Sequence, residues 1–168
     1  LRMIALLAAL ALGACGSTRG TVPGGSVPGY AGGNISCVPY ARARSGINLA
    51  GDAWQWWEAA EQSGSYDRSR RPRTGSVLVF MRTQRNRTGH LSVVTRVISS
   101  REIRVDHANW ASGSNRGRIA RDQPVADVSA NNDWSLVRVW YPPVGGLGRS
   151  NYPTFGFIHG GRLMAEAR

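Results

Sequence analysis

Residues 90–110 read HLSVVTRVISSREIRVDHANW, and the fold turns on how this stretch pairs with itself. The runs from His90 to Ile98 and from Glu102 to Trp110 are rich in Val, Ile and Thr. Ser99 and Ser100 between them predict a β-hairpin. A two- or four-residue loop there pairs residues whose numbers sum to an odd value, such as Ile98 with Ile103. Side chains alternate along a strand, so even positions of the first run then share a face with odd positions of the second. One face carries His90, Ser92, Val94 and Ile98 against Ile103, Val105, His107 and Asn109. The other face of the second run, Glu102, Arg104, Asp106 and Ala108, reads as solvated. A three- or five-residue loop would exchange the faces and bring Asp106 forward in place of His107.

Working outward, Gly75 to Phe80 (GSVLVF) and Ser135 to Tyr141 (SLVRVWY) are further β-rich runs, the second ending at Pro142-Pro143. Upstream, Ile35 to Gly46 (ISCVPYARARSG) reads as a helix. Ser36 suits the N-cap, Pro39 is tolerated in the first turn and Gly46 ends it. Asp52 caps a second helix over Ala53 to Gln62, which stops before Gly64. Trp54 and Trp57 on one of its faces and Trp56 on the next read as core packing rather than a sugar-stacking platform. Helices followed by antiparallel strands define an α+β class, with N-terminal helices packed on a small antiparallel β-sheet.

The chain has 168 residues, 42% of them hydrophobic, with six Trp, which fits one domain with a proper core. Its net charge is +11 and all 21 basic residues are Arg. That charge attracts polyanions, whether nucleic acid, anionic lipid or cell-wall polymer, without choosing among them. The Arg-rich stretches Arg68 to Arg73 and Arg82 to Arg87 read either as solvated loops or as capture sites for such a polymer. Residues 1–15, LRMIALLAALALGAC, form a secretory signal pattern whose end resembles a bacterial lipobox, with Cys15 either the lipidated residue or an incidental one in a plain cleaved signal. Residues 16–33, rich in Gly and Pro, read as a tether, 34–145 as the domain and 146–168 as a tail. Gly16 after the lipobox favours the outer membrane in a Gram-negative envelope.

Cys37 is then a lone thiol in an exported protein. A helix N-terminus favours a thiolate, and Arg42 and Arg44 add positive potential. A cysteine nucleophile needs a base, usually His. His159 lies in a stretch that looks like surface, which leaves His90 and His107. A structural reading stands beside this one: a packed cysteine and two satisfied histidines.

SCVPYARARSGI, PRTGSVLVF, GHLSVVTRV and REIRVDHANW resemble, in order and spacing, the CHAP domain, the cysteine- and histidine-dependent amidohydrolase/peptidase module allied to the NlpC/P60 hydrolases in a papain-like class. The resemblance covers about Ile35 to Tyr141. It implies Cys37 as nucleophile and His90 as general base. CHAP domains often place Glu-x-Asn at the third polar position, and His107-Ala108-Asn109 stands here, so the orienting group is open among His107, Asn109 and Asp106. The resemblance further implies an amide-cleaving peptidoglycan hydrolase, either an N-acetylmuramoyl-L-alanine amidase or an endopeptidase. No cofactor or metal is expected, since two His and one Cys lack metal-ligand spacing. The expected partners are peptidoglycan and, through the lipid anchor, a membrane, with no nucleic acid. The rival readings are a non-catalytic wall-binding scaffold, a nucleic-acid-binding protein, and an amidase or acyltransferase for another substrate.

Overall fold

The computed structural model describes residues 29–31, 34–110 and 115–160; the lipobox Cys15, most of the expected tether and the last eight residues lie outside them. In chain order the elements are β1 (Gly29–Ala31), α1 (Cys37–Ser45), α2 (Trp56–Ser63), β2 (Arg68–Ser69), β3 (Val77–Phe80), β4 (His90–Val97), β5 (Glu102–Ala108), β6 (Ile119–Asp127), β7 (Leu136–Tyr141), β8 (Gly146–Leu147) and β9 (Tyr152–Ile158). A single 3₁₀ turn, Ala53–Gln55, leads into α2, with Asp52 N–H donating to Gln55 Oε1 at 2.7 Å.

The expected small sheet covered by helices is not what forms. Strands β6, β5, β4, β3, β9 and β7 pair in that order, all antiparallel, and β7 returns to β6. The molecule is therefore mostly a closed six-stranded antiparallel barrel carrying two short helices. Closure pairs every wall strand on both sides and leaves, among the described residues, no open sheet edge in the wall.

Two segments outside the expected strand set close the ring. IARDQPVAD of β6 breaks hydrophobic alternation with Arg121, Asp122 and Pro124, and Asp122 takes a left-handed φ of 51° at a bulge. YPTFGFI of β9 falls in the expected tail but lies between β3 and β7. Gly156 fits there for a local reason: its φ is 132°, and a Cβ would sit 2.5 Å from the Ser69 carbonyl oxygen and 3.1 Å from the Trp57 ring. Within the expected tether, β1 pairs with β6.

Alternation divides the apolar residues into two clusters. Leu78, Val94, Val105, Val125 and Phe157 fill the barrel interior. Val77, Val79, Leu91 and Val93 point out of the wall and are covered by Ala41, Ile47 and Trp56 from the helical region. Trp57 stacks on Phe155 of β9, with ring centroids 5.9 Å apart. Helix α1 is thereby fixed over β4, with its N-terminal Cys37 packed against the outer cluster. Gly46, in the left-handed conformation at φ 72°, ends α1 by donating to Arg42 O.

Candidate active site

The β4–β5 hairpin brings the two histidines together by a route the sequence did not reveal. Near the turn Val97, not Ile98, faces Ile103, and Arg96 faces Arg104. That register alone would put His90 and His107 on opposite faces. Thr95 has no partner across the ladder; it forms a bulge, its hydroxyl donating to Arg104 O at 3.1 Å. Beyond it Val94 faces Val105 and Val93 faces Asp106. One extra residue exchanges faces, so both imidazoles enter the barrel.

There His90 Nε2 lies 3.1 Å from His107 Nδ1. Both rings are buried. Burial, reinforced for His90 by the neighbouring His107, holds His90 well below the ordinary 6.5, and burial lowers His107 to about 3. Both are neutral at neutral pH. Trp110 stacks on His107 at 5.3 Å between centroids and lies 4.7 Å from the His90 ring; Phe80 and Tyr152 extend this aromatic enclosure. Trp110 and Tyr152 escaped the sequence reading, because neither their type nor their spacing marks them as companions of a histidine.

Cys37 and His90 line one open cleft, while His107 sits behind His90. Burial pushes the Cys37 thiol above its ordinary 9.0, and Asp52 adds to the rise; the backbone N–H groups of Leu91, Cys37 and Val38, hydrogen-bonded to the sulfur, oppose it. The helix start favours the thiolate as expected, but desolvation is larger. The expected help from Arg42 and Arg44 is absent. Arg42 donates to Leu49 O through Nε and a terminal nitrogen, at 2.9 and 2.6 Å, and Arg44 pairs with Asp106 at 3.1 Å.

The remaining candidates separate cleanly. Asp106 faces away from the histidines, yet it is buried rather than solvated, accepting from Asp122 N–H at 2.9 Å and from Arg44. Asn109 reaches the cleft, but its Oδ1 accepts from Gly117 N–H at 2.8 Å and its own N–H donates to Arg118 O, so it ties down the 115–118 turn. His159 is buried, not superficial, and hydrogen-bonds Ser69 Oγ at 2.7 Å. Among the described residues no three His, Cys, Asp or Glu side chains cluster as a metal site.

The cleft has contrasting walls. Thr83, Arg85 and Asn86 of the β3–β4 loop form one, and Trp140, Tyr141 and Tyr152 contribute to another. Arg82 in the same loop lies over Trp54 at 4.4 Å. Arg68, by contrast, is committed to structure, over Trp57 at 4.7 Å and paired with Glu58 and Glu61.

Residues 27–109 match the model of the CHAP domain, and over that span the chain belongs to this family. CHAP domains are typically hydrolases of the amidase or peptidase kind, and the family points to peptidoglycan as the substrate. No curated protein matches the chain significantly. The matched span ends before β6, β7 and β9, the strands that complete the barrel around the histidine pair.

Proposed function

We propose that the protein is a peptidoglycan hydrolase in which Cys37 attacks an amide carbonyl and His90 serves as acid and base. The observation that carries this reading is the His90–His107 contact at 3.1 Å, behind a cleft that also exposes Cys37. With Nε2 of His90 engaged by His107, Nδ1 is the ring nitrogen left for the thiol.

The resting pair is neutral thiol and neutral imidazole, so the proton moves as the bond forms. His90 takes the Cys37 proton while sulfur adds to the carbonyl carbon. Backbone N–H groups at the start of α1 stabilise the oxyanion. The tetrahedral species collapses as His90 protonates the departing amine, leaving a thioester on Cys37. Water, deprotonated by His90, releases the carboxylate and restores the thiol. His107 holds the His90 ring and takes no proton itself.

The basic β3–β4 loop suits a substrate bearing free carboxylates, as peptidoglycan stem peptides do. The LGAC sequence ending at Cys15 supports lipid anchoring in the cell envelope. The test is incubation of purified sacculi with the chain beside Cys37→Ala. Fragments released only by the unmodified chain support the reading, and their masses name the amide or endopeptide bond. Binding by both without release favours the scaffold.

A further inference from the structure

The histidine pair rests on a polar layer inside the barrel. Ser92 of β4 faces Leu78, and the β4–β5 register beyond Thr95, continued one step from Val93–Asp106, sets Ser92 across from His107. Gln123 of β6 faces Val105, two residues from His107 on the same face, which makes it a diagonal neighbour within reach of a long side chain. Both are fully buried. Ser92 Oγ, His107 Nε2 and Gln123 Oε1 are buried atoms with no hydrogen-bond partner among the described residues. The amide end of Gln123 is taken, since Nε2 donates to Arg121 O at 2.8 Å, and this leaves the acceptor oxygen for the interior.

These atoms complement one another. A neutral imidazole has one donor and one acceptor nitrogen. Two neutral imidazoles sharing one hydrogen bond therefore have coupled tautomers. If His107 is protonated at Nε2, its Nδ1 accepts from His90 Nε2–H, and His90 Nδ1 keeps a lone pair. If His107 is protonated at Nδ1, His90 Nε2 accepts, the His90 proton moves to Nδ1, and His90 has no lone pair for Cys37. What meets His107 Nε2 thus decides whether His90 is a base.

We propose that Gln123 Oε1, together with the Ser92 hydroxyl, supplies through one bridging water the acceptor that keeps His107 protonated at Nε2, and so sets His90 in its base-competent tautomer. Gln123 and Ser92 are positioning residues acting through His107. The inference rests on the reading of His90 as the base. A neutral histidine beside an acceptor performs here the task that an anionic or carboxamide side chain performs elsewhere, and the layer keeps a donor from being buried without a partner.

The test is the ¹⁵N spectrum of the imidazoles in the full chain, which reads tautomers without substrate. Both His90 and His107 are expected as Nε2–H. Gln123→Met keeps the bulk but removes the acceptor. It should move His107 toward Nδ1–H and lower kcat by about tenfold or more with KM unchanged, because the wrong tautomer disables the base. Gln123→Glu keeps an acceptor and should restore most of the loss. His107 protonated at Nδ1 in the unmodified chain would overturn the proposal, whether or not any variant folds. Unchanged tautomers and kcat in Gln123→Met would do the same. If the unmodified chain releases nothing from sacculi, the hydrolase reading fails, while the spectrum still decides the Gln123 contact.

Discussion

Arg44 Nε lies 3.1 Å from Asp106 Oδ2, and this pair joins the helix that begins at Cys37 to the strand that carries His107. The two sides of β5 divide the work: Asp106 faces outward to α1, and the next residue, His107, faces inward to His90. The contact thus braces α1 against β5 from outside the site.

Asp106→Asn should lower stability by about 3 kcal/mol, since it removes the negative charge from a largely buried ion pair. Denaturant unfolding measures this. Below its melting temperature the variant should still cleave, because Asp106 touches neither histidine. A folded Asp106→Asn with no activity would give Asp106 a chemical role that this geometry denies it.

Gly89 stands immediately before His90 at φ 69°, where a Cβ would lie 2.7 Å from the Phe80 carbonyl oxygen and 3.0 Å from the Trp54 backbone nitrogen. Gly89→Ala should cost about 1–3 kcal/mol through backbone strain and displace the start of β4. Thermal unfolding together with turnover checks it. Unchanged stability would show that this turn does not position His90.

How far these relationships could be read in advance differs from residue to residue. Cys37 at a helix start and both histidines stood out, because their types are rare in this chain and their contexts are local. The pairing of His90 with His107 was reached by a parity argument that holds only beyond Thr95. A bulge leaves no mark in the hydrophobic pattern. The barrel was hidden because β6 and β9 contain Pro124, Pro153 and Gly156, residues that ordinarily argue against a strand. Closure is a long-range property, and no window of sequence displays it. His159 was misplaced for the same reason, since its stretch looks like a tail until β3 and β7 flank β9.

Stability should depend on pH in a defined direction. The folded state holds His107 near 3 and His90 well below 6.5, whereas the unfolded chain protonates histidine near 6.5. Below that value the unfolded state binds more protons than the folded one. The stability contributed by the neutral histidines is therefore complete above 6.5 and is lost as pH falls toward 3. The loss is about 1.4 kcal/mol per pH unit for each histidine. Urea unfolding at several pH values checks this, and His107→Gln should show a shallower dependence. Identical slopes in the two proteins would contradict it.

The thiol chemistry has its own signature. Burial raises the Cys37 thiol above 9.0, so the resting protein holds a thiol rather than a thiolate–imidazolium pair. Alkylation by iodoacetamide, followed by mass at Cys37, should be slow near neutrality and accelerate above pH 9. A rate that is already maximal near pH 6 would mean a preformed ion pair and a different proton inventory.

Covalent catalysis by Cys37 requires a thioester on its sulfur, and digestion of sacculi in the presence of hydroxylamine tests for it. A thioester partitions between water and hydroxylamine, so the released fragments should include hydroxamates beside carboxylates, and Cys37→Ala should release neither. Fragments bearing only carboxylates, or release that survives Cys37→Ala, would contradict covalent catalysis by Cys37.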